Sequence, residues 1–129
     1  RMLWEKFVML NATSGITALT RQTVGEIRQD ADLRVVFEAA LREGLALAQA
    51  SGVRFAPDFE ATHLRVLDAL PASMRASMAH DLIAGRRLEA PWLCGAVVRR
   101  AAAAGLAVPV NATIYAALKP FVEGAPRST

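Results

Sequence analysis

Apolar residues recur at helical spacing along most of the chain, and no segment alternates in the way that a strand does. The clearest case is Ala31–Ala50, where apolar residues follow one another at intervals of three and four: Leu33, Val36, Phe37, Ala40, Leu41, Leu45 and Ala48. Asp30 precedes this segment as an N-cap, and Ser51-Gly52 follows it. The pattern predicts an amphipathic helix with one face in a core.

Capping and breaking residues delimit the helices around this one. Thr23 and Glu26 have the spacing of a capping box, which predicts a short helix ending near Gln29. Further along, Pro57-Asp58 opens a helical segment that Pro71 stops. Each segment is too short to bury its apolar face alone, so the pattern favours helices packed on one another.

The last part of the chain predicts three more helices. The first covers 73–84 and ends at Gly85, and the second covers 92–104 and ends at Gly105. Asn111 is a suitable N-cap for the third, which runs to about residue 121. With the segments before them, they predict an all-α bundle of six or seven helices.

The first segment is different because apolar residues surround it. Residues 2–12 predict a helix that is buried on all sides, and the polar stretch 11–15 predicts its end. Gly15 allows a kink or a close approach of another segment before the apolar pattern resumes at Ile16. Lys6 lies inside the run WEKFVML, where an ordinary surface cation is out of place.

Length and composition predict one domain. The chain has 129 residues, 53% of them hydrophobic, which suffices for a core over about 1–123; residues 124–129 predict a disordered tail. Cys94, the single cysteine, lies in an apolar run and excludes an internal disulfide, which favours a reducing, cytoplasmic location. No apolar run reaches the roughly 18 residues of a membrane span, and the start of the chain suggests a fragment of a longer protein.

The net charge of +3 could indicate binding to nucleic acid, a membrane surface or an anionic small molecule. The arginines are spread along the chain with acidic residues between most of them, which favours a solvated helix surface over a nucleic-acid face. His63 and His80 have no carboxylate or cysteine at ligand spacing, so no metal site is expected.

A series of residues between 77 and 109 resembles the signature of the C-terminal domain of ketopantoate reductases. The series is Ser77-Met78, Asp81, Gly85-Arg86, Glu89, Gly95, Arg99, Gly105 and Pro109. The resemblance includes Lys6 and extends to about Phe121. Those enzymes reduce a 2-oxo acid with NADPH, so it implies the substrate-binding domain of a two-domain reductase. No GxGxxG motif follows a strand here, so the N-terminal dinucleotide-binding domain is expected to be absent from this chain.

Lys6 is the first candidate catalytic residue. Hydride transfer to a ketone creates an alkoxide, and an ammonium group in reach can stabilise it and supply its proton. Apolar surroundings can bring a lysine pKa towards the working range. The alternative is a lysine that extends its amine to water, paired with Glu5 or a helix end. The resemblance places the catalytic lysine of the family on Lys6.

Two further positions gain a role from the resemblance. Glu89 falls on the active-site glutamate of the family, where it would orient substrate, cofactor ribose and Lys6. Without the resemblance, Glu89 is simply an acid at the start of a helix. Ser77 falls on the serine that binds the substrate carboxylate, although a solvent-facing serine is common. Asp81 is expected to be structural, with Arg86 or a backbone amide as its partner.

The sequence departs from the family pattern after Lys6. Ketopantoate reductases commonly carry asparagines four and eight residues after the lysine, where this chain has Leu10 and Ser14. Ser14 keeps a hydrogen-bonding group for substrate, whereas Leu10 makes the pocket more apolar. Asn11 lies about 140° around the helix from Lys6 and cannot replace the missing amide. A bulkier or less polar 2-oxo acid is therefore possible.

Other functions stay open at this point. A helical interaction or nucleic-acid-binding module would use the arginines at 86, 87, 99 and 100 and bind in a salt-sensitive way. A structural or dimerisation bundle would use exposed apolar residues near Trp4, Phe7 and Met9, and a homodimer is possible on the same ground. Neither the substrate nor the oligomeric state follows from the sequence.

Overall fold

A computed structural model describes residues 2–124, apart from the side chain of Met2, and these residues form helices and connections without any strand. The helices are α1 (Met2–Thr20), α2 (Val24–Gln29), α3 (Ala31–Ala50), α4 (Phe59–Ala69), α5 (Ser77–Ile83), α6 (Cys94–Ala104) and α7 (Pro109–Leu118). Two 3₁₀ turns, Ala90–Trp92 and Lys119–Phe121, complete the described part. The prediction of an all-α bundle is confirmed.

The long helices α1 and α3 form the centre of the bundle. They pack most extensively on each other, and α1 also packs against α5 and α7. Phe37 and Leu41 on α3 and Ile16 on α1 are fully buried in this core. Each such side chain stabilises the fold by about 1.5–3 kcal/mol relative to an exposed one. The core therefore fixes α1, which carries Lys6.

The predicted end of the first helix at 11–15 is wrong, because α1 continues to Thr20. Two of its polar residues bond within the helix, because the hydroxyl groups of Thr13 and Thr17 donate to the carbonyl oxygens of Met9 (2.9 Å) and Thr13 (2.8 Å). At Gly15 a Cβ atom would lie 3.2 Å from Ile114 Cγ2, so glycine allows close approach of α7 rather than a kink.

The prediction that this helix is buried on all sides also fails in its first half. The side chain of Leu3 is 83% exposed and that of Leu10 is 50% exposed, and Lys6 is exposed as well. Before Asn11 only Val8 is buried, whereas residues 11 through 18 are all buried. Apart from Val8, the apolar residues at 3–10 border surface clefts.

Two predicted caps are confirmed. The Thr23 hydroxyl accepts from the backbone N–H of Glu26 (3.2 Å), and the Glu26 carboxylate accepts from that of Thr23 (3.0 Å). The Glu26 carboxylate also accepts a hydrogen bond from the Thr23 hydroxyl (3.0 Å), and the bonds it accepts, first from the Thr23 backbone N–H and then from that hydroxyl, lower the pKa of Glu26. The Asp30 carboxylate accepts from the N–H groups of Asp32 and Leu33, both at 2.9 Å, and begins α3 as expected.

The start of the last helix differs from the prediction, because α7 begins at Pro109 and contains Asn111 in its first turn. The cap comes from another helix. The carboxylate of Glu43 on α3 accepts from the N–H groups of Val110 (2.9 Å) and Asn111 (2.8 Å). This frees the side chain of Asn111 for a buried contact described below.

Two other predicted helices start later than expected. Residues 72–74 are not helical because the carbonyls of Ala72 and Met74 accept from the backbone of α2, so α5 starts at Ser77 rather than at 73. The segment 92–104 is divided because Leu93, with φ −109° and ψ −100°, leaves the helical region between the 3₁₀ turn and α6. Gly105, at φ +71°, ends α6 as predicted.

Surface and terminal features complete the fold. Asp81 and Arg86 form the expected ion pair, with Arg86 Nε donating to Asp81 Oδ1 at 2.9 Å. None of the helices described is long and apolar enough to cross a bilayer. Residues 2–124 contain no cluster of His, Cys, Asp and Glu that could hold a metal ion. The predicted tail begins at Gly124, whose backbone N–H donates to the Phe121 carbonyl (3.0 Å). The rest of the predicted tail, 125–129, lies outside the described residues.

Candidate functional site

A cleft of about 540 Å³ lies between the first half of α1, α4 and the connection that leads into α5. Half of the residues that line it have polar or charged side chains: Glu5, Lys6, Thr13, His63, Arg75 and Ser77. The other half are apolar: Met9, Leu10, Val66, Leu70, Met74 and Ala76. The volume is in the range of small-molecule sites, and the mixed lining suits a ligand with one charged and one apolar part.

The cleft brings together Lys6 and Ser77, two of the candidate residues. Lys6 lies on α1 and is exposed on the cleft side of that helix. Ser77 is the first residue of α5, and the backbone N–H of the preceding Ala76 donates to the Thr17 hydroxyl on α1 (3.4 Å). This contact holds the start of α5 against α1, so both side chains belong to one fixed surface.

Ser14, the other candidate substrate-binding residue, does not line this cleft. Its side chain is only 1% exposed and lies on the interior side of α1. Thr13 lines the cleft instead. On a helix of 3.6 residues per turn, Lys6, Leu10 and Thr13 share one face, so helical spacing alone would have indicated Thr13.

Glu89 also lies outside the cleft of Lys6. It is exposed and precedes the 3₁₀ turn Ala90–Trp92, where its side chain makes no capping hydrogen bond. Trp92 in that turn lines a second groove of about 290 Å³ together with Leu3, Trp4, Phe7, Ala96 and Arg100. Within residues 2–124 neither Lys6 nor Glu89 forms an ion pair, so the contact expected between them is absent there.

Sequence reasoning missed two residues of the cleft, His63 and Arg75. The His63 ring stacks on Phe59, with centroids 3.8 Å apart, and its Nδ1 lies 3.0 Å from the Phe59 carbonyl. Because a carbonyl only accepts, Nδ1 carries the proton and Nε2 is left for other contacts. Arg75 donates through Nε to the carbonyl of Arg21 (2.7 Å). Neither residue stands in a local pattern that could have singled it out.

The charges of the cleft favour an anion. Lys6 and Arg75 contribute two positive charges and Glu5 one negative charge, a formal balance of +1 with His63 neutral. Elsewhere, burial raises the pKa of the Cys94 thiol to about 11. Cys94 is therefore protonated at neutral pH and is a core residue, as the sequence predicted, rather than a nucleophile.

A buried polar contact on the opposite side of α1 sets the orientation of the cleft face. Asn11 Nδ2 donates to Asn111 Oδ1 on α7 (2.7 Å), and Asn111 Nδ2 donates to Glu43 Oε1 on α3 (2.8 Å). We call these three residues the amide clamp. It confirms that Asn11 faces away from Lys6 and takes no part in the cleft. Because the clamp joins three helices, it fixes the rotation of α1 about its axis.

Known proteins resemble the whole chain. The family described as "Ketopantoate reductase PanE/ApbA C terminal" matches residues 1–122. The 2-dehydropantoate 2-reductase of Halobacterium salinarum is 35% identical over 114 residues, 88% of this chain and 37% of its own length. The corresponding enzyme of Mycobacterium tuberculosis is 31% identical over 121 residues, 94% of this chain and 40% of its own length.

A solved structure gives the same result. A dimeric ketopantoate reductase from Staphylococcus aureus superposes with a TM-score of 0.87 at 30% identity, over 94% of this chain and 42% of that protein. The chain thus spans about two fifths of the length of these relatives. Both the sequence match and the helical fold lead to one conclusion: the chain belongs to the ketopantoate reductase family and corresponds to its C-terminal domain.

Proposed function

We propose that this chain is the substrate-binding domain of an NADPH-dependent 2-oxo acid reductase and that Lys6 is its general acid. The supporting observation is the cleft in which Lys6 and Ser77, distant in sequence, lie together beside a second cation, Arg75. A 2-oxo acid has a carboxylate and a ketone on adjacent carbons, so it requires an anion site next to a proton donor. The cleft offers both.

The reaction converts a 2-oxo acid, a hydride and a proton into a 2-hydroxy acid. When bound, NADPH would supply the hydride for the carbonyl carbon, and the electrons of the C=O π bond would pass to the oxygen. The Lys6 ammonium donates its proton to that oxygen and becomes neutral, and water later reprotonates it. Before the proton moves, the positive charge of Lys6 stabilises the developing alkoxide.

This chain fits only the edge of a dinucleotide. Residues 2–124 contain no strand and hence no strand–turn–helix phosphate site. Glu89 is exposed and its side chain makes no capping hydrogen bond. Its carboxylate could therefore accept hydrogen bonds from a ribose held by another domain. In this proposal Glu89 contributes to cofactor binding and orientation, Ser77 binds the substrate carboxylate, and Ser14 supports the interior side of α1.

The dinucleotide-binding domain is proposed to cover the exposed face near the start of α1. Leu3 is 83% exposed and Trp92 is 69% exposed, and both line the second groove. Apolar side chains this exposed gain by about 25 cal/mol per Å² when a partner surface covers them. Without that domain the isolated chain is expected to consume no NADPH with any 2-oxo acid.

Turnover of variants in the full-length protein tests the role of Lys6. Lys6→Ala is expected to lower kcat by roughly a hundredfold or more, because both the proton donor and its charge are lost. Lys6→Arg keeps the charge but cannot give up a proton, so it should stay far below the wild type. Lys119→Ala, at an exposed lysine beside Tyr115, is the matched control. Near-normal turnover in folded Lys6→Ala protein would refute the catalytic role.

A double-mutant cycle tests Glu89. Glu89→Ala is expected to reduce activity through orientation and cofactor binding. The Lys6→Ala, Glu89→Ala double variant should be less impaired than the product of the two single losses, because both groups act on one transition state. If Glu89 were only a helix-end acid, Glu89→Ala would lower the melting temperature and leave turnover per folded molecule unchanged.

The exposed apolar side chains also support a second candidate, self-association into a homodimer. A second copy could cover Leu3 and Trp92 in the same way as a partner domain. We expect the purified chain to sediment as more than a monomer at high micromolar concentration. A purely monomeric profile at that concentration would count against this proposal.

A nucleic-acid-binding function has less support, because the arginines that would carry it already have partners. Arg86 pairs with Asp81, and Arg87 pairs with Glu123. Arg99 donates to the Pro91 carbonyl, and Arg100 lies over the Trp4 ring, 5.8 Å from its centroid. Each of these arginines thus contacts a group of the protein itself, as expected for a solvated helix surface.

A further inference from the structure

Arg75 has a geometry suited to binding a carboxylate. It precedes α5 and is half-buried at the wall of the cleft. Its Nε donates to the carbonyl of Arg21 at 2.7 Å, which restrains the guanidinium plane. Within residues 2–124 its two Nη groups make no hydrogen bond or ion pair. The paired N–H donors of Nη1 and Nη2 are thus available in an orientation that the backbone already sets.

That pair of donors matches the two oxygens of a carboxylate, which a guanidinium binds through parallel hydrogen bonds. Acidic groups of the protein nearby do not occupy it. The positive charge of Arg75 acts on the Glu26 carboxylate, but this carboxylate accepts its hydrogen bond from Thr23 in the capping box. Glu5 also lines the cleft and has contacts of its own. The lining remains net positive with Glu5 included.

The apolar part of the cleft lining favours a ligand without a polar group beyond its carboxylate and ketone. Leu10 is 50% exposed and Val66 on α4 is 42% exposed, and Leu70 and Met74 continue the same wall. A hydroxyl group placed against these side chains would lose its hydrogen bonds to water without replacement. An alkyl group there would instead remove apolar surface from water.

We propose that the cleft selects a 2-oxo acid with an apolar side chain, whose carboxylate is held by the Nη1–Nη2 edge of Arg75 together with the Ser77 hydroxyl. The alkyl group of this acid packs on Leu10, Val66 and Leu70. The selection rests on the proposed reductase function, but binding can be measured without any reduction. Arg75 is thus a substrate-binding residue and Leu10 a determinant of specificity. Lys6 stays free for the ketone oxygen.

The matched ligand pair is ketopantoate and its analogue with a methyl group in place of the hydroxyl. In the full-length protein we expect kcat/KM to be about tenfold to a hundredfold higher for the methyl analogue than for ketopantoate. This is the range by which an apolar pocket discriminates against a ligand with an added hydroxyl. Leu10→Asn, which adds an amide to the wall, should narrow or reverse this ratio. A wild-type preference for ketopantoate would overturn the selectivity.

Arg75 is tested by ligand binding to the 129-residue chain, followed through amide chemical shifts. The methyl analogue should shift the amides of Thr13 and Ser77, and the matching ketone without a carboxylate should not. Arg75→Gln and Arg75→Lys should each weaken binding of the acid by tenfold or more, because both lose the paired donors. Arg65→Gln, at an exposed arginine of α4 outside the cleft, should bind as the wild type does.

The outcomes separate this inference from the proposed function. No binding of the acid, or equal binding by folded Arg75→Gln and wild-type chains, would overturn the role of Arg75. Arg75-dependent binding together with no reduction of either acid by the full-length protein would support the carboxylate site and refute the reductase.

Discussion

The two halves of α1 reverse the usual relation between composition and burial. Residues 3–10, LWEKFVML, are mostly apolar, yet Leu3, Lys6 and Leu10 are exposed and only Val8 is buried. Residues 11–18, NATSGITA, are half polar by side chain, yet all eight are buried. Hydropathy alone would have placed the first half in the core and the second at the surface.

The two halves differ in their surroundings. In the second half, Gly15 lets α7 approach α1, the hydroxyl groups of Thr13 and Thr17 donate to backbone carbonyls, and Asn11 Nδ2 donates to Asn111 in the amide clamp. In the first half, apolar residues border two clefts, whose surface is available to a ligand or a partner. Burial therefore follows the packing of neighbouring helices, and the exposed apolar residues of the first half border the two clefts.

The largest expected effect is the loss of a core side chain from the second half. Ile16→Ala is expected to lower the free energy of unfolding by about 2–5 kcal/mol, because Ile16 is fully buried and its removal leaves a cavity. Urea unfolding followed by circular dichroism measures this. A loss below about 1 kcal/mol would show that the second half is not the packed part of α1.

Much of the helical fold could be predicted because its signals are local. The box at Thr23 and Glu26, the cap at Asp30 and the stop at Gly105 each depend on neighbours within a few residues. The misplaced start of α7 has a non-local cause, because its cap comes from Glu43 on another helix. The role of Gly15 is likewise non-local, because it allows the close approach of Ile114 on α7.

The candidate site was predictable only where a family pattern or helical spacing applied. Lys6 and Ser77 could be named from the family signature, and the structure places both at one cleft. Arg75 and His63 could not, because they come from the connection before α5 and from α4 and meet α1 only after folding. Their alignment depends on contacts such as the Arg21 carbonyl, which no spacing rule encodes.

An intermediate effect is expected at the amide clamp, which joins the second half of α1 to α7. Asn111→Ala leaves Asn11 Nδ2 buried without its acceptor and removes a donor from Glu43, so we expect a loss of about 1–3 kcal/mol. Combining it with Asn11→Ala should cost less than the sum of the two, because the interaction is shared. Strict additivity would mean that the two amides do not stabilise each other.

The smallest effect is expected in the first half of α1, at Leu10. Leu10→Ala removes a side chain that is half exposed and replaces it with the residue of highest helix propensity, so the free energy of unfolding should change by less than about 0.5 kcal/mol. The same urea unfolding experiment that measures Ile16→Ala provides the comparison, since both residues are aliphatic and lie on one helix. A loss of 2 kcal/mol or more would mean that Leu10 is part of the core and would remove the contrast between the halves. A small change would instead show that Leu10 contributes little to the stability of α1. That result is expected for a side chain whose proposed role is to contact substrate in the cleft.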